Sequence, residues 1–115
     1  MTISQIMDIL HAHPLTKTYN PDLEVHSACG SDMMSDVLAS THNKDVLLTG
    51  LVNPQVVKTA DMMDVKCIVF VRSKMPDAAM IDLAEQRGII LLSTDERMYM
   101  SCGRLYAAGL VGDET

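Results

Sequence analysis

The run Lys66-Cys67-Ile68-Val69-Phe70-Val71 has no polar alternation and stops abruptly at Arg72-Ser73-Lys74-Met75-Pro76. A short, wholly apolar run of strand-forming residues suits a strand covered on both faces, as in a parallel sheet between helices. Three further runs have strand character: Leu23 to Cys29, which alternates, Asp45 to Thr49, which is apolar in its middle, and Ile89-Ile90-Leu91-Leu92. Around them the apolar period changes to that of a helix. Thr2-Ile3-Ser4-Gln5 has the form of a capping box, and Ile3, Ile6, Met7 and Leu10 then make one stripe that ends near His13, ahead of Pro14.

The spacing predicts four more helices. One follows Gly30, capped by Ser31 or Asp32, with Met33, Met34, Val37 and Leu38 inward and an end between Ser40 and Asn43. Another runs from Pro54 to Met63 behind the cap Asn53, with Val56, Val57, Ala60 and Met63 inward. A third opens at Pro76-Asp77, turns Ala79, Met80, Leu83 and Ala84 inward and stops at Arg87-Gly88. The last is expected behind a second box, Ser93-Thr94-Asp95-Glu96, with Met98, Cys102 and Leu105 on one face and Gly109 as its stop. Strand and helix thus alternate. The expected fold is a single α/β domain over residues 1–110, including an N-terminal helix over 1–13, with a central, mostly parallel, four-stranded sheet flanked by helices. Residues 111–115 are read as an acidic tail that frays.

Composition narrows the classes of function. Hydrophobic residues make up 48% of the chain and aromatics 3%, so the core is aliphatic, and the ten methionines are read mainly as gap-fillers within it. A net charge of −6 with scattered basic residues argues against nucleic acid as a partner. No apolar run reaches the length of a membrane span, and no signal peptide is recognisable, which points to a cytoplasmic protein. The odd, widely separated Cys29, Cys67 and Cys102 point to reduced thiols rather than a disulfide framework or a zinc site. His11 and His13 lie on different sides of a helix end with no carboxylate spaced to join them, so no metal or cofactor is expected.

In a parallel sheet the ligand crevice lies beyond the carboxyl ends of the strands, where helix N-termini also converge. Those positions hold Ser31, Asp32, Thr49, Asn53, Arg72, Ser73, Lys74, Ser93 and Thr94, a set of hydroxyls, amides and cations suited to a phosphate or carboxylate. Ordinary loop and cap chemistry yields the same composition. No nucleotide-binding glycine loop, dinucleotide fingerprint or nucleophile elbow is present. Cys29 with His26 three residues before it is the remaining catalytic arrangement, but the two would point to opposite faces of a strand. His42 lies in a loop with no partner in view.

Ser31-Asp32-Met33-Met34-Ser35-Asp36-Val37-Leu38-Ala39 resembles a run found in DRTGG domains. Val46 to Thr49, Ile68-Val69-Phe70 with Pro76 after it, Leu83 to Ile89, Leu92-Ser93-Thr94 and Gly103-Arg104-Leu105-Tyr106 resemble that family in matching order. The resemblance implies a fold similar to the N-terminal domain of HPr kinase/phosphorylase, found alone or fused to CBS-domain proteins, regulatory or ligand-sensing, self-associating and without catalysis of its own. Many members end the third strand with Thr-Gly-Gly, where this chain has Val71-Arg72-Ser73. Any contact that needs two glycines is lost there, or exchanged for one that Arg72 can grip. The expected function is therefore a non-catalytic regulatory domain, a homodimer, that binds a small anionic, nucleotide-like ligand at the strand ends. The alternative is an interaction or homodimerisation module with a protein partner and no small-molecule ligand, with a small enzyme built on Cys29 or His26 behind both.

Overall fold

The structure is a computed structural model that describes residues 1–40 and 44–112, apart from the Ser40 side chain. Its elements in chain order are α1 (Ile3–Leu10), β1 (His13–Pro14), β2 (Ala28–Gly30), α2 (Met34–Ser40), β3 (Val46–Thr49), α3 (Pro54–Met62), β4 (Cys67–Phe70), α4 (Ala78–Gln86), β5 (Ile90–Ser93) and α5 (Met98–Ala107). The strands lie in the order β1-β5-β4-β3-β2, with β2 to β5 parallel and β1 antiparallel to β5. The uninterrupted apolar run is thus the middle strand.

Among the described residues the sheet has five strands, which corrects the expected four. The additional one is His13–Pro14, paired with Ser93 and Leu92. Proline is tolerated because this is an edge, where one side of the backbone needs no partner. The first helix accordingly ends at Leu10 rather than His13, with His11 in the left-handed region at φ 50°.

The β2 region departs from expectation in a related way. Its strand occupies Ala28–Gly30 rather than Leu23 to Cys29, because the first half of that run pairs with the chain's own N-terminus: the Val25 amide donates to the Met1 carbonyl at 2.8 Å, and Thr2 bridges Glu24. Gly30 continues the strand instead of breaking it. Leu110 is buried and the Val111 carbonyl accepts from the Ala28 amide at 3.0 Å. The rest of the expected tail, 113–115, lies outside the described residues, as do His42 and the expected helix end at Asn43.

Strand residues alternate between two cores, as a period of two requires. Leu47, Ile68, Phe70 and Leu91 pack with Met34, Val37, Val56, Val57, Ala60, Met80 and Ala84 of α2, α3 and α4. Val46, Leu48, Val69 and Leu92 pack on the other face with Ile3, Ile6 and Leu10 of α1 and Leu105 of α5. The methionines do not follow the core reading: Met34 and Met80 are buried, whereas Met33, Met62, Met75 and Met100 are exposed. Leu38 and Ala79, expected inward, also face solvent.

Candidate functional site

The loop between β4 and α4 departs furthest from ordinary backbone. Arg72 and Ser73 both adopt left-handed conformations, at φ 59° and 58°. Each costs a non-glycine residue about 1–2 kcal/mol, so the surroundings must hold it. They do so through the loop between β5 and α5. The Arg72 amide donates to the Glu96 carbonyl at 2.8 Å and the Ser73 amide to the Thr94 carbonyl at 2.9 Å. The Ser73 hydroxyl donates to Asp95 Oδ1 at 2.6 Å, and that of Ser93 to the Lys74 carbonyl at 3.2 Å. Left-handed backbone is where glycine is at ease, which gives a physical sense to the Gly-Gly of the related pattern at these positions.

With its backbone fixed, this loop turns its cations outward. Arg72, Ser73 and Lys74 join Asp95 and Arg97 around a cavity of about 390 Å³. The Arg72 guanidinium also reaches across the strand ends, 3.9 Å from Asp32 Oδ2 and above Gly50, where an added Cβ would meet Arg72 Nη2 at 2.3 Å. Glycine at position 50 leaves room for the Arg72 guanidinium in this position, although so flexible and half-exposed a side chain could move aside for a larger residue. Arg72 and Asp32 are both about half exposed, so their pairing is worth less than ~1 kcal/mol and leaves the guanidinium available to a stronger anion.

The nine expected site residues do not all converge. Arg72, Ser73 and Lys74 line this cavity, and Asp32 touches its margin through Arg72. Asp32 Oδ1 accepts from the Gly50 amide at 2.6 Å and the Thr49 hydroxyl at 3.2 Å, tying two strand-end loops together. Ser31 Oγ accepts from the Met33 amide at 3.0 Å, and Asn53 Oδ1 caps α3 by accepting from the Gln55 amide at 2.9 Å. Thr49, Ser93 and Thr94 are buried, and Thr94 donates to the Leu10 carbonyl at 2.6 Å. Those hydroxyls hold the fold together.

Arg97 was absent from the expected set because the cap of the last helix was misplaced. The cap position is Arg97 itself, with no side-chain cap bond, and not the box at Ser93 to Glu96. Ser93 belongs to β5, and Thr94 and Asp95 are engaged by Leu10 and Ser73. A basic residue immediately after a hydroxyl- and acid-rich strand end was the available signal.

The other reactive side chains fit a structural role. Burial pushes the Cys67 thiol far up, and Cys102 is raised by burial first and by Cys29 second, which keeps both as poor nucleophiles. The exposed His26 donates its amide to Asp45 Oδ2 at 2.7 Å. Among the described residues no group of three or more His, Cys, Asp or Glu is placed to hold a metal, and no helix is long and apolar enough to cross a membrane.

No family model and no curated protein matches the chain. Among solved structures it is similar to the CBS and DRTGG domains of the regulatory region of Clostridium perfringens pyrophosphatase, solved with its activator diadenosine tetraphosphate. The two align with a TM-score of 0.71 at 14% identity, over 90% of this chain and 45% of that one. The shared property at this identity is the fold: an α/β domain like one found in a regulatory region built from CBS and DRTGG domains. The chain spans less than half the length of that structure.

Proposed function

We propose that this chain is a DRTGG-type regulatory domain of the cytosol that senses a small anionic, nucleotide-like ligand at the C-terminal ends of its strands and performs no chemistry of its own. The observation that carries this reading is the convergence of Arg72, Lys74 and Arg97 on one cavity, where Asp95, held by the Ser73 hydroxyl, is the single carboxylate in the lining, in a chain of net charge −6. An acidic protein that gathers cations at one point gives anions a local target. The likeness to a regulatory region solved with a dinucleotide activator supports the ligand class by analogy of fold.

The test is a thermal-shift and calorimetric screen of adenine nucleotides, diadenosine tetraphosphate and sugar phosphates. A ligand at a hundred times its dissociation constant stabilises the fold by about 2.7 kcal/mol. Arg72→Ala removes a charge-assisted contact and should weaken such a ligand by about 1.5–3 kcal/mol. If no compound shifts the parent protein, or every hit shifts Arg72→Ala equally, the ligand-sensing reading is wrong.

A second reading, an interaction or homodimerisation module, is favoured by the exposed Met33, Met62, Met75, Tyr99 and Tyr106. A two-fold dimer is compatible with either reading. Light scattering at tens of micromolar should report it, and a concentration-independent monomer would remove self-association from both.

A further inference from the structure

A second cavity, of about 510 Å³, runs between β2, the edge strand that Val111 joins at Ser27 and Ala28, and the outer part of α5. Its floor is apolar, from Leu48, Leu105 and Leu110, and Tyr99 and Tyr106 stand over it. The two tyrosines are seven residues apart, two helical turns, and so share one side of α5. They are 86% and 67% exposed, although each carries a large ring that a protein ordinarily covers.

Between them lies Gly103, in the interior of α5. Glycine there costs the helix about 1 kcal/mol relative to alanine. Packing does not demand it, since a Cβ at position 103 would meet nothing within 4 Å. Its effect is to widen the groove. Gly30, on the facing strand, is different: a Cβ there would meet Cys102 Sγ at 2.8 Å and Met98 Sδ at 3.1 Å, so its absence brings α5 down onto the sheet edge.

That edge offers hydrogen bonds. The Ala28 amide points out of the sheet, to Val111. Gly30, two residues further along, presents its own amide and carbonyl on the same side by the alternation of strand backbone. Gly30 is exposed and lines the groove.

The groove and the cation cavity have no lining residue in common, but Arg72, which lines the second, reaches toward the first along one face of the sheet. Gly30 pairs with Leu48, whose side chain forms part of the floor. Gly50 lies two residues beyond Leu48 on the same face, and the Arg72 guanidinium covers it. At a strand rise of about 3.3 Å per residue, the Gly50 backbone, with the guanidinium beside it, stands about 7 Å from that of Leu48 in the groove floor. The interval is of the order of one ribose between a base and its phosphates.

We propose that the groove between β2 and α5 is a base-binding site, in which a nucleobase stacks on the Tyr99 and Tyr106 side of α5 and meets the Gly30 backbone at its edge. The inference rests on the reading above, that Arg72, Lys74 and Arg97 hold the phosphates. It adds that the ligand is read in two parts, by charge at the strand ends and by ring stacking along α5.

The experiment is calorimetric titration of the parent protein, Tyr99→Ala and Gly103→Leu with ATP, GTP, CTP and inorganic tripolyphosphate. Tyr99 is exposed and a Cβ at position 103 meets nothing within 4 Å, and circular dichroism checks the fold of both variants. At least one nucleotide should bind the parent about tenfold tighter than tripolyphosphate, the worth of one stacked base. Both variants should lose that advantage while binding tripolyphosphate as the parent does. Equal binding of tripolyphosphate and every nucleotide by the parent, or undiminished nucleotide preference in both variants, overturns the base site and leaves the anion site standing. A nucleotide that binds through Tyr99 while tripolyphosphate does not bind at all supports the base site and overturns the phosphate reading. Failure of every probe to bind the parent overturns both.

Discussion

The two faces of the sheet are closed to different degrees. On the face of α2, α3 and α4, alternate strand residues from β3 to β5 lie beneath helices, and Leu47, Ile68, Phe70 and Leu91 are fully buried; a cleft of about 470 Å³ between α3 and α4 is lined by helix residues and by none of the strands. On the other face α1 and α5 cover the same strands, but the cover opens toward β2, where Tyr99, Gly103 and Tyr106 border a groove. Both faces use the same aliphatic strands. The difference arises at the β2 end of the second face, where glycines and outward-turned tyrosines replace the large side chains that cover the other strands. Each face buries a full apolar cluster of its own, so what sets the open one apart is room for a ligand at its β2 end.

The largest expected effect breaks the sealed face. Phe70 is the chain's one phenylalanine, fully buried on the central strand, and no other aromatic ring is available to fill its space. Phe70→Ala should cost about 3–5 kcal/mol, from lost transfer energy together with the cavity left behind. Denaturant unfolding measures it. A loss below about 1.5 kcal/mol would mean that this face collapses readily around the vacated space and is not rigidly sealed.

A smaller effect is expected where α5 touches β2. Gly30→Ala places a methyl 2.8 Å from Cys102 Sγ, and overpacking of this kind costs about 1–3 kcal/mol. The double change Gly30→Ala with Cys102→Ala should recover part of that loss, since residues in contact do not add independently. Additive losses in the double-mutant cycle would show that the edge yields without regard to Cys102.

The sequence made the sealed face legible and the open one only partly so. The middle strand could be read from an apolar run without a break, and α3 from Asn53-Pro54, because each pattern is complete within a few residues. β1 could not be read, since two residues including a proline carry no side-chain period and are recruited by backbone pairing with β5. The box Ser93 to Glu96 has the right letters for a cap, but β5, Leu10 and Ser73 claim its members first. Among candidate ligand residues, Arg72, Ser73 and Lys74 followed from their place at a strand end. Arg97 and the groove did not, because both depend on where α5 starts and how it lies against β2, which is settled by tertiary contact. The closeness of Gly50 to the Arg72 guanidinium is likewise visible only in the folded chain.

The smallest expected effect has the opposite sign and sharpens the contrast between the faces. Gly103 lies within α5 with open space beside it, so alanine there gains helix propensity and meets no obstacle. The expected gain is about 0.8–1.0 kcal/mol. For a domain near 100 residues this raises the melting temperature by roughly 4 °C or more. The same methyl narrows the groove, so the stabilisation of the parent by a saturating nucleotide should be reduced in Gly103→Ala, as where a site has been kept open at the expense of stability. Thermal unfolding with and without nucleotide reads both quantities from one pair of proteins. If Gly103→Ala is no more stable than the parent, the glycine is needed by the fold itself, and the open face is as fully determined by packing as the sealed one.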